Sequence, residues 1–68
     1  MKVLVMAVFT IMGGPPVVTA VHGETCKPLM EQVVKSYGMT NYIQSWSNSS
    51  IKAKQGNKEL VVTCNSTK

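Results

Sequence analysis

The stretch from Ile51 to Cys64 admits one self-consistent pairing, and that pairing constrains the whole chain. Gly56-Asn57 is a two-residue turn signal between runs of alternating residues. Counting outward sets Gln55 against Lys58, Lys54 against Glu59, Ala53 against Leu60, Lys52 against Val61 and Ile51 against Val62. Side chains alternate between faces along a strand, so Ile51, Ala53, Leu60, Val62 and Cys64 share one face. Lys52, Lys54, Glu59, Val61 and Thr63 share the other. A slip of one residue would mix the two sets. Lys54 and Glu59 are expected to meet as an opposite-charge pair.

The start of the chain has a different character. A short basic start, Met1-Lys2, precedes residues 3–12, all apolar except Thr10, and then Gly13-Gly14-Pro15-Pro16. This is the layout of a secretory signal peptide. The run is shorter than the roughly 20 residues a membrane helix needs. Val18-Thr19-Ala20 supplies small or modest residues for cleavage after Ala20, and Val21-His22-Gly23 offers a second site. The expected organisation is a signal peptide over 1–20 and a mature secreted domain over 21–68.

Removing 20 of 68 residues leaves 48, with Lys27, Lys35, Lys52, Lys54, Lys58 and Lys68 against Glu24, Glu31 and Glu59, a net charge of +3. So short a chain is at the edge of what one hydrophobic core can stabilise. Its two cysteines, Cys26 and Cys64, allow a single intramolecular pairing, and export makes oxidation expected. On the chain-entropy account such a loop closure contributes roughly 4 kcal/mol.

Between the cysteines, Leu29, Met30, Val33, Val34 and Tyr37 recur at helical spacing after Pro28, and Gly38 is a stop signal. The spacing predicts a helix over 28–37, with Glu31 in its first turn and Lys35 near its end. Residues 40–47 fit a strand, with Tyr42, Gln44 and Trp46 on one face, and a second short helix competes for the same stretch. The expected fold is α+β: a small single-disulfide domain, one short helix packed on a two- to three-stranded antiparallel sheet.

Few residues suggest chemistry. Asn48-Ser49-Ser50 and Asn65-Ser66-Thr67 match the N-glycosylation pattern and lie in polar segments. His22 is the one histidine, both cysteines are committed to a disulfide, and the chain has no aspartate. Neither a metal site, a cofactor nor a catalytic constellation is expected, and the chain does not read as an enzyme. The lysines are thinly spread and arginine is absent, which speaks against nucleic acid. Lysines on a hairpin also keep an edge strand soluble. Trp46 reads foremost as the main core side chain, and otherwise as an exposed anchor for a partner.

A stapled scaffold without a reactive centre acts through its surface. The expectation is a small secreted, mildly cationic monomer that binds an extracellular protein or receptor, of the ligand, inhibitor, toxin or effector type. The expected contact residues are Lys52, Lys54 and Val61 beside the turn Gly56-Asn57, with Trp46 if it is exposed. The alternative is a cationic membrane-active defence peptide, in which lysines meet anionic lipid.

Overall fold

The computed structural model describes residues 2–67, and the side chain of Thr67 lies outside that description. Among these residues are one α-helix, a single 3-10 turn and five strands. In chain order they are β1 (Lys2–Ile11), β2 (Val17–Gly23), α1 (Cys26–Ser36), the 3-10 turn Thr40–Tyr42, β3 (Ile43–Trp46), β4 (Ser50–Gln55) and β5 (Lys58–Thr67). The strands form one antiparallel sheet in the order β2-β1-β5-β4-β3, with α1 packed across one face.

The β4–β5 hairpin has the register that its sequence demands. Ile51 faces Val62, Lys52 faces Val61 and Ala53 faces Leu60. Ile51, Ala53, Leu60, Val62 and Cys64 are buried beneath the helix, while Lys52 and Lys54 are exposed. Gly56 has a φ of 58° and Asn57 does not have a positive φ, the arrangement of a type II′ hairpin turn. One detail differs. Glu59 pairs with Lys52 at 3.6 Å, diagonally across the strands, and not with Lys54 directly opposite. Strand twist brings such diagonal neighbours within reach of long side chains. Both partners are well exposed, so the pair contributes little.

The helix begins two residues earlier than its periodicity suggests, at Cys26. Pro28 is then its third residue, still within the first turn, where no intrahelical N–H bond is lost. Glu31 accordingly falls outside the first turn, while Lys35 is in the last. The end is a Schellman motif. The N–H of Gly38 donates to the Lys35 carbonyl at 2.9 Å, and that of Met39 to the Val34 carbonyl at 3.2 Å. Gly38 takes the required left-handed conformation with φ 71°, and Met39 turns inward to be fully buried.

The sheet has five strands where two or three are expected. The two further strands come from residues 2–23, the segment that reads as leader and lead-in. β1 is an interior strand, flanked by β2 and β5, and pairs with β5 from Lys2↔Thr67 to Ile11↔Lys58. Val3, Val5 and Ala7 point into the core beside Met30, Val33 and Val34 of α1. Phe9 stacks on Tyr37 with ring centroids 5.1 Å apart. A central strand and an export leader make the same demand on sequence, an unbroken apolar run. Gly23 ends β2 in close approach to α1, where an added Cβ would lie 2.6 Å from Leu29 Cδ2.

Cys26 and Cys64 are joined across 38 residues, with their Cα atoms 5.9 Å apart. The bridge ties the first residue of α1 to the core face of β5. Replacing Cys64 with Ser is expected to cost about 4 kcal/mol, most of what so small a domain has. Urea unfolding followed by circular dichroism measures this, and an unchanged midpoint would refute the assignment. In the full-length chain, Val5→Asp puts a carboxylate where exposure is 0%, and is expected to abolish the cooperative transition. Met6→Asp, on the outer face, should shift the same transition only slightly, and equal effects of the two would contradict the strand register.

Candidate functional site

Among the described residues, no element packs on the face of the sheet away from α1. Residues paired across strands share a face, so its composition follows from the registers. One row reads Val18, Val8, Val61, Lys52 and Ser45 from β2 to β3. The next reads Ala20, Met6, Thr63 and Ser50, and the third His22, Leu4 and Asn65. On the turn side, Thr10, Glu59 and Lys54 form a shorter row. The centre is therefore apolar, with Val18 57% exposed and Met6 36% exposed, and the lysines stand to one side.

Of the expected contact residues, Lys52, Lys54 and Val61 lie together on this face. Trp46 does not join them. It pairs with Ile51, whose side chain is in the core, so Trp46 lies on the helix side of the sheet. An irregularity between Ile43 and Ser45 is the cause. A bulge places one extra residue on the strand and reverses the alternation beyond it. Ile43 and Trp46 consequently share a face, and Tyr42 belongs to the preceding 3-10 turn. Neither a full strand nor a second α-helix spans 40–47; the stretch divides into that turn and a four-residue strand.

Trp46 is not the centre of the core either, being 43% exposed. It lies on the edge strand, beside a groove of about 350 Å³ lined by Glu31, Lys35, Thr40, Ile43 and Trp46. The central packing belongs to Met30, Met39, Ile51 and Leu60. A single tryptophan in a small chain is a poor guide to the core when it falls on the last strand of a sheet.

The two glycosylation patterns have different settings. Asn48 is exposed at the β3–β4 turn, which Ser47 organises. The Ser50 N–H donates to Ser47 Oγ at 3.0 Å, and the Ser47 N–H to the Ser50 carbonyl at 2.8 Å. Asn65 is exposed within β5, opposite Leu4 on the outer face. His22 also stands opposite Leu4, on the outermost strand β2. Among the described residues, no group of three or more His, Cys, Asp or Glu is gathered as a metal site.

The apolar centre of the outer face was not foreseen from sequence. Leu4, Met6 and Val8 alternate with the equally apolar Val3, Val5 and Ala7, so no period-two contrast marks them. In comparisons with known proteins, no family model matches the chain, and no curated protein or solved structure shows significant similarity to it.

Trp46→Ala is expected to cost less than about 1 kcal/mol. Ile51→Ala, directly opposite and 1% exposed, should cost about 3 kcal/mol. Urea midpoints for both variants check this ordering, and the reverse order would put Trp46 back in the core.

Proposed function

We propose that the chain is an exported, disulfide-stapled monomer that binds an extracellular protein through the outward face of its β4–β5 hairpin. Lys52, Lys54 and Val61 make the contact. The observation that carries the reading is the division of this hairpin: one face supplies Ile51, Ala53, Leu60 and Val62 to the core and Cys64 to the disulfide, and the other is left open. These residues all belong to 21–68, so release of the leader leaves them in place. The disulfide fits an oxidising compartment. Asn48, at an exposed turn, is the better placed of the two sequons to carry a sugar.

A second reading, a cationic membrane-active peptide, draws on a different observation. In the chain that retains β1 and β2, the row Val18, Val8, Val61 ends on Lys52, an apolar strip with a cation beside it.

The test uses product secreted from a eukaryotic host, with an intact mass to report leader removal, oxidation and glycan together. Labelled product is expected to bind intact target cells saturably and to be displaced by unlabelled product. The Lys52→Glu/Lys54→Glu variant should bind at least about tenfold more weakly while keeping its urea midpoint, since rim charges act on binding more than on folding. Equal binding by the variant would refute the hairpin face. Leakage of anionic vesicles with no saturable cell binding would select the membrane reading.

A further inference from the structure

We infer that release of the leader opens the β1-side edge of β5, and that this edge accepts an extended segment of the extracellular partner as a replacement strand. The inference deepens the export reading above and rests on it.

β5 is paired along both edges, with β4 on one side and β1 on the other. Cleavage after Ala20 or Gly23 removes all of β1 (Lys2–Ile11). The N–H and C=O groups that β5 directs at β1 then lose their partners along a strand of ten residues. A long unpaired edge of this kind is a template for another strand. What lies above the gap makes it selective. α1 packs on both β5 and β1, and Cys26–Cys64 together with Met30, Val33 and Val34 keeps it over β5 after cleavage. The vacated place is thus a slot with an apolar roof. It loses Val3, Val5 and Ala7, which are at most 4% exposed when present.

Two other occupants are excluded by geometry. Residues 21–25 are tethered to the start of α1 and extend no more than about 17 Å, enough for one end of a ten-residue strand. A second copy whose β5 takes the place of β1, antiparallel and in register, fails for a different reason. Antiparallel pairing of β5 with itself needs a twofold axis normal to the sheet, which leaves both helices on the same face. Each helix overlies β5 and the position next to it. Two helices need about 8–10 Å between axes, whereas adjacent strands are about 4.8 Å apart. They would collide. A lone strand carries no helix and fits.

β1 itself states what the slot takes. The incoming strand runs antiparallel to β5 and has apolar side chains at every second position, of the sizes of Val3, Val5, Ala7 and Phe9. The aromatic at the end lies on Tyr37, as Phe9 does. The intervening positions face outward and are unrestricted. This is recognition by strand addition, with main-chain bonds for affinity and alternate pockets for selectivity.

The experiment uses the secreted product of the full-length gene and a fluorescent peptide of sequence 2–11 flanked by lysines for solubility. A control peptide carries Val5→Asp and Ala7→Asp. The expected result is an intact mass showing cleavage, saturable binding of the first peptide by anisotropy, and binding of the control at least about a hundredfold weaker. If the cleaved product is coil alone, the first peptide and not the control should raise its strand signal in circular dichroism. A cleaved product that binds neither peptide, or both equally, overturns the acceptor edge and leaves export standing. A secreted product that keeps all 68 residues overturns leader removal, and the open edge with it, because β1 then fills the slot; a chain that is not secreted at all overturns the export reading itself.

Discussion

The covalent tie between Cys26 and Cys64 sets where everything else can lie. It fixes the first turn of α1 against the core face of β5, at a Cα separation of 5.9 Å. From that point the helix can only run back across the sheet, and Met30, Val33 and Val34 follow on its inward side. β5 is the counterpart of this anchor. It holds the cysteine, supplies Leu60 and Val62 to the core, and offers both edges to neighbouring strands. Closing a loop of this length removes unfolded-state entropy comparable to the net stability of a domain this small. The helix, at three turns, would not persist in water without such support.

Legibility in the sequence followed contrast. In the hairpin, Lys52 and Lys54 alternate with Ile51 and Ala53, and the partner strand repeats the contrast, so register and face were readable. Gly56 and Gly38 both announced conformations with positive φ. Residues 2–11 offered no contrast at all. A strand flanked on both sides and apolar on both faces is indistinguishable by periodicity from a leader's hydrophobic stretch. β3 is legible only in part, for a different reason. It is four residues long, and a local irregularity shifts its alternation midway. Trp46 therefore shares the helix-side face with Ile43 and not with Gln44, and its size suggests a central core role that the edge position does not allow.

The candidate site was legible to the same degree as the hairpin that carries it. Lys52, Lys54 and Val61 fall on one open face because their register was determined by residues on the other. Leu4, Met6 and Val8, which extend that face into an apolar strip, were invisible until β1 had a place in the sheet. A surface function of the kind proposed leaves a weak mark on sequence. A catalytic centre needs particular residue types at fixed distances, whereas a contact surface needs only a shape and a distribution of charge.

The leader role proposed for residues 2–11 bears on when the chain can fold. A segment handed to an export machinery must be extended and accessible, and a segment buried beside Met30 and Leu60 is neither. The β1–β5 pairing joins the two ends of the chain, from Lys2↔Thr67 inward. Contacts of such sequence separation are the last to form, since the intervening loop must be closed first. During synthesis, β1 is free for as long as β5 is unmade. The β1–β5 pairing and the disulfide, which also waits on Cys64, are thus both late events in folding. On the proposed export reading, this topology would separate in time the two uses of one hydrophobic stretch.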